Sequence, residues 1–276
     1  MSQDDQALID ATQRAGTVIH AMQVLRSTNN EEMKSLPNGF KFSLPNDSSH
    51  FFGQPYDNYL LPIEGLYKAS RGLGFLGISP DEDGVYRRIR LFNQYQDNQI
   101  LPSLSSAMVM PLIGDNQAIR YEDSKAKIGD FEIPLDGDGN FLINPYGQII
   151  TYSASDIFIT MKQIRAGESE NLLLDPSDFD GKLVLLGASA IGLLDVKATS
   201  LASKEAGVFL HAYTAANLLE QDFLRIIAPL AVLGLVILFC AITTISIIFV
   251  PKLALAALAP LISIFGYMGF AYSMFG

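Results

Sequence analysis

From Ile226 to Gly276 the chain carries a single charged residue, Lys252. Ile226 to Val250 reads IIAPLAVLGLVILFCAITTISIIFV, which has no charge at all. At about 1.5 Å per residue a helix of this length exceeds the roughly 30 Å hydrocarbon core of a bilayer. Pro251-Lys252 interrupts, and Leu253 to Phe275 forms a second apolar run. The sequence therefore predicts two transmembrane helices, at about 226–250 and 253–275, in a hairpin over 223–276. A domain over 1–222 precedes them. Pro229 and Pro260 are compatible with membrane helices, because neighbouring helices can satisfy the carbonyls they free. Lys252 on the turn favours a cytoplasmic turn and so an outer front domain, while Arg225 at the other end of the first span opposes it.

Charge limits what the front domain binds. The chain holds 29 acidic and 19 basic residues. Setting Lys252 aside leaves 18 basic residues before Ile226, a net of −11. Such a surface repels nucleic acid and anionic headgroups, so no nucleic-acid partner is expected. The one cysteine, Cys240, lies in the apolar tail, so no disulfide can form within a chain. Met1 to His20 shows neither a basic n-region nor an apolar h-region. The expectation is either a cytoplasmic front domain or a chain cut from a longer protein whose first membrane helix lies upstream.

Local patterns predict alternating helices and strands. Ser2-Gln3-Asp4-Asp5 is a capping box, Leu8, Ile9 and Thr12 give the helix an apolar side, and Gly16 ends it. Thr17 to Leu25 reads as a buried strand, and Ser27 to Asp57 as an irregular loop. Gly72 to Ser79 is a Gly-rich strand, Pro80 to Gly84 a turn, and Val85 to Tyr95 one half-exposed strand. After a turn at Gln96-Asp97-Asn98, Pro102 opens a helix to about Ile113. Strands follow near 118–122, 126–134 and 141–150, with a hairpin turn at Asp136-Gly137-Asp138-Gly139. A helix begins at Ser155-Asp156. Lys182 to Leu186 (KLVLL) is predicted to be a buried strand, ending in the small-residue turn Gly187 to Gly192. Gly207 to Glu220 continues as strand and helix toward the membrane. The fold class expected is a mixed α/β domain, its mixed sheet flanked by helices, with two membrane helices behind.

Several residues are candidates for chemistry. Ser189, Asp195 and His211 follow the chain order of an α/β-hydrolase triad, but the turn lacks the second glycine of a nucleophile elbow and the separations are too short. The Gly187, Ser189, Gly192 turn is either a ligand rim at a strand end or a tight packing turn. Asp195 is either a pocket residue or a loop cap, and His211 a pocket residue or a hydrogen-bonded core residue. Asp81 and Asp83 with Arg87 and Arg88 form either a charged rim or a salt-bridge cluster. Asp136, Asp138 and Asn140 imitate a calcium loop, but the sixth position is Phe141 and the twelfth Gly147. No zinc spacing exists, and no metal or cofactor is expected.

The segments PDEDGVYRRIRLF, LPSLSSAM, IPLDGDGNFLINPYG, TYSASDIF, FDGKLVLLGASAIGLLDVKATS and GVFLHAYTAANLLEQDFLR occur in that order and lead into apolar helices. Together they resemble the extracellular sensory domain of the second CHASE type (cyclase- and histidine-kinase-associated sensory extracellular). The resemblance covers about Ser2 to Arg225 and continues into the membrane part. It implies a signal-input module of a bacterial receptor in the plasma membrane, with a periplasmic or extracellular front domain. An unidentified small molecule or protein would be its ligand. It further implies a homodimer formed through the receptor helices, and about three membrane helices leading to a cyclase or kinase. The chain matches this as a piece truncated at both ends, without the family's effector and so without catalysis of its own. The other readings are a periplasmic hydrolase using Ser189, Asp195 and His211, and a structural membrane subunit.

Overall fold

The computed structural model describes residues 2–25, 42–43, 58–95, 99–113, 119–122, 125–145, 149–168, 170–189, 195–224, 229–249 and 258–275. The chain divides into two compact units, Met1–Leu224 and Arg225–Gly276. The expected loop over 27–57 falls almost wholly outside the described residues, as do the turns at 96–98 and 251–252.

In the first unit the opening helix α1 (Gln3–Ala15) is capped as its sequence requires. The Ser2 hydroxyl accepts from Asp5 N at 3.1 Å, and Ser2 N donates to the Asp5 carboxylate at 2.8 Å. Gly16 closes the helix at φ 65°, a left-handed conformation that glycine adopts without strain. Strand β1 (Ile19–Leu25) follows. It pairs in parallel with β4 (Gly72–Phe75) and antiparallel with β3 (Asn58–Leu60). Met22, Val24, Tyr59, Leu73, Phe75, Tyr95 and Leu101 make a small core beside this sheet. A short helix α2 (Glu64–Ala69) lies between β3 and β4.

The expected strand over Val85–Tyr95 is two strands. β5 (Arg88–Arg90) pairs with β11 (Asn140–Leu142), whereas β6 (Phe92–Tyr95) pairs with β7 (Gln99–Pro102), itself joined to β2 (Phe42–Ser43). The intervening Leu91 is buried. Pro102 ends β7, and helix α3 (Leu104–Ile113) starts two residues later. Ser103 supplies its cap, the hydroxyl accepting from Ser106 N at 3.2 Å. α3 is buried on nearly every side from Ser105 to Met110, as its apolar composition demands.

The strand expected over 126–134 is a hairpin of β9 (Lys125–Ile128) and β10 (Phe131–Pro134), with Gly129 at φ 59° and β8 (Ile119–Glu122) on the far side of β9. Asp136 to Gly139 does turn, Gly139 N donating to the Asp136 carbonyl at 3.0 Å. It is no β-hairpin, however: β10 and β11 belong to different sheets. The single mixed sheet expected from sequence is thus replaced, among the described residues, by several sheets of two or three strands. Helix α5 (Gly207–Glu220) is helical from its first residue and buries Leu210, Tyr213, Ala215 and Leu218 in the larger core.

The largest correction concerns Lys182 to Leu186, expected as a buried strand. The run forms no strand among the described residues, and Val184 is 57% and Leu186 90% exposed. Before it, helix α4 (Ala154–Arg165) is capped by Ser153 and followed by a 3-10 turn at Pro176–Phe179. Phe158, Ile159, Met161 and Ile164 on α4 are also exposed.

The second unit holds α6 (Pro229–Phe249) and α7 (Leu258–Phe275). Leu230–Phe249 is long and apolar enough to cross a membrane, with a mean hydropathy of 2.8. The apolar part of α7, Pro260–Gly269, is shorter. Among the described residues one candidate span therefore stands where two were expected. The two helices touch, Phe239 and Tyr267 meeting edge to face at 6.2 Å.

Candidate functional site

One set of converging polar groups lies at the start of α5. The hairpin of β12 (Val196–Lys197) and β13 (Glu205–Ala206) delivers the chain into this helix. Asp195 stands just before it, and Gly207 N donates to the Asp195 carbonyl at 3.0 Å. A Cβ on Gly207 would sit 2.5 Å from the Asp195 carboxylate, so only glycine leaves that carboxylate in place. A carboxylate there also meets the positive end of the helix. Lys197 Nζ lies 3.4 Å from Asp195 and 5.1 Å from the centre of the Tyr86 ring.

Across the hairpin, Glu205 accepts from Tyr213 Oη at 2.8 Å and from Thr199 Oγ1 at 2.7 Å. Burial and then the Glu205 carboxylate push the Tyr213 hydroxyl up to about 12, so the phenol stays protonated. Tyr86 N donates to the Ala198 carbonyl at 2.7 Å. This bond fastens the hairpin to the chain just before Arg87 and β5.

Arg87 and Arg88 form a second polar group. Arg87 pairs with Asp81 at 3.2 Å and Asp83 at 2.8 Å, and Arg88 with Asp81 at 2.6 Å and Asp136 at 3.3 Å. The Arg87 side chain holds the Asp83 carboxyl below its usual range, and the aspartates raise Arg87 in turn. Every charge that the sequence offered as a rim is therefore already spent on a neighbour. Asp136 joins them from a turn that sequence reasoning had set apart.

His211 is a core residue. It is 3% exposed, its ring donates to the Leu76 backbone, and Nδ1 lies 2.9 Å from Ser105 Oγ. Burial pulls it from an ordinary value of 6.5 to about 4, against the attraction of Asp195. A neutral imidazole engaged on Ser105 and Leu76 is not placed as a base for Ser189, which is exposed on the other segment. Asp195 acts on His211 electrostatically, raising its proton affinity, and Ser189 is exposed. Gly187 is a packing position, since a Cβ there would lie 2.4 Å from Val208 Cγ2. Gly192 lies outside the described residues. No cluster of three or more His, Cys, Asp or Glu residues that could hold a metal ion occurs among the described residues.

Sequence reasoning missed Lys197, Glu205, Tyr213, Thr199 and Ser105. Nothing in the spacing of Val196-Lys197 and Glu205-Ala206 announces so short a hairpin, and Ser105 meets His211 across 106 positions of chain.

A family model, that of the CHASE2 domain, matches residues 1–246 of the chain. Neither a curated protein nor a solved structure matches it significantly.

Proposed function

The chain belongs to the CHASE2 domain family of extracellular sensory domains, and on that footing we propose that it is the signal-input module of a bacterial membrane receptor. It would bind a small molecule or protein outside the plasma membrane and pass the event through membrane helices to a cytoplasmic cyclase or kinase. The observation that carries this reading is the extent of the family match. It spans the whole first unit and reaches residue 246, inside α6, so sensor and candidate span belong to one family unit.

The end of the first unit supports the same reading. Asn144 Nδ2 donates to the Asp222 carboxylate at 2.9 Å, and Phe223 meets Phe141 edge to face at 5.8 Å. The residues that lead toward α6 are thereby fastened to the domain core. A shift in that core would be felt at Asp222 and Phe223, where a population-shift mechanism would begin. The ligand would meet the rim of Asp195, Lys197, Glu205 and Tyr86, where Lys197 and Glu205 keep partly exposed charges. In this reading α7 is a second span, making the protein multi-pass, and two copies associate through their membrane helices.

The test has two arms. In a Cys240→Ser background, a cysteine at the exposed Glu82 should react with a membrane-impermeant maleimide in intact cells. Reaction only after permeabilisation would place the domain inside and end the sensor reading. The purified full chain should then be screened by thermal shift against small polar metabolites. A true ligand at about 100 times its Kd stabilises by about 2.7 kcal/mol, and Lys197→Ala should cancel that gain.

A further inference from the structure

Val196 pairs with Ala206 and Lys197 with Glu205 in the β12–β13 hairpin, so Lys197 and Glu205 stand directly opposite each other on one face. Their Cβ atoms are therefore about 5 Å apart, within easy reach of a salt bridge. They do not form one, because each side chain is drawn to other groups. The Lys197 ammonium lies over the Tyr86 ring and 3.4 Å from Asp195. That contact is loose beside the roughly 2.7–2.9 Å of a charge-assisted hydrogen bond. Glu205 is aimed by two neutral hydroxyls, those of the buried Tyr213 and Thr199. Among the described residues it has no cation within ion-pair distance. A positive head and a negative head thus share one half-buried face without cancelling.

The remaining charge, Asp195, lies against the first residue of α5, whose positive end matches it. Lys197 keeps N–H donors to spare, and each Glu205 oxygen keeps a lone pair beyond the hydroxyl it accepts. Tyr213 Oη, which donates to Glu205, still has a lone pair of its own. A simple anion on Lys197 would leave Glu205 unmatched and be repelled by it. A simple cation on Glu205 would face Lys197 across the hairpin. A dipolar molecule satisfies both heads at once, and its ammonium must carry N–H groups to meet Glu205 and Tyr213. We propose that the mouth of the β12–β13 hairpin binds a free α-amino acid, its carboxylate on Lys197 and its protonated amine on Glu205. The proposal rests on the reading of this rim as the sensor's ligand site and gives that ligand a chemical class.

The experiment uses the full chain in nanodiscs, with the common L-α-amino acids added singly and the melting temperature followed. At least one should raise it. For that amino acid, the matching 2-hydroxy acid, the amine lacking its carboxylate and the trimethylammonium betaine should each bind at least about tenfold more weakly. Glu205→Gln should weaken the amino acid by about the same factor and leave the 2-hydroxy acid unaffected. Lys197→Met should weaken the amino acid and leave the amine unaffected. A merely structural lesion would weaken every ligand alike. No rise with any amino acid, a betaine or hydroxy acid that binds as well, or undiminished binding by Glu205→Gln would overturn the proposal. The maleimide reaction at Glu82→Cys separates this failure from that of the sensor reading. Reaction in intact cells without amino-acid binding leaves a sensor of another ligand. Binding by a domain that reacts only after permeabilisation leaves the site and ends the sensor.

Discussion

Asn217 shows what a single buried amide does in this domain. It is fully buried in α5, its Oδ1 accepts from Asn144 N and its Nδ2 donates to the Asn144 carbonyl, both at 2.9 Å. Asn217→Ala strands two backbone groups beneath α5, so a loss of about 2–4 kcal/mol is expected in urea unfolding. His211 makes a pH-dependent contribution of its own. Its folded value, about 4, lies below its ordinary 6.5, so the unfolded chain takes up a proton first as pH falls. The stability associated with the neutral ring is complete above pH 6.5 and drains away between 6.5 and about 4, at up to about 1.4 kcal/mol per pH unit. His211→Asn should flatten that part of the stability–pH curve. An unchanged slope would assign the acid sensitivity to other groups. The sequence marks His211 as a core candidate, because Phe209, Leu210 and Tyr213 surround it in a helical pattern. It does not mark Ser105, since proximity across 106 residues is a product of topology and leaves no local trace.

At the level of elements, legibility follows the range of the determining interaction. α1 was readable to the residue because its capping box and its C-terminal glycine are local devices. The break between β5 and β6 was not, since the alternation of Val85–Tyr95 fits one strand and only the partners β11 and β7 divide it. The Lys182–Leu186 run failed in the opposite direction. Its composition suits a strand buried on both faces, but strand formation needs a partner edge, and none of the described strands supplies it. Close approach between elements was equally silent. A Cβ on Gly74 in β4 would lie 2.4 Å from the Leu104 Cα at the start of α3. That neighbour is backbone and has little room to yield. Gly74→Ala should therefore lower the melting temperature by on the order of 10 °C or prevent folding, with a loss above about 2 kcal/mol. A near-neutral result would mean that α3 can slide on the β1–β4 sheet.

For the molecule as a whole, an acidic front part stands against an apolar tail whose only charges are Arg225 and Lys252, and the chain divides into compact units after Leu224. Residues 221–228 are all that separates α5 from α6 in sequence. If signalling depends on a stiff exit from the sensor, a Gly-Gly insertion after Leu224 should abolish ligand response in a chimera carrying a histidine-kinase output. The ligand-induced thermal shift of the insertion protein should remain. Retained response would show that the exit need not be rigid.

The contact between Gly187 and Val208 has a meaning for descent. A side chain cannot be added at 187 while valine occupies 208, because the two would share the same space. Substitutions there can be inherited only in compensating pairs, a larger residue at 187 arriving with alanine or glycine at 208. Lineages of this domain should carry that pairing as a correlated change, and sequences that kept bulk at both sites would have to part the return run from α5.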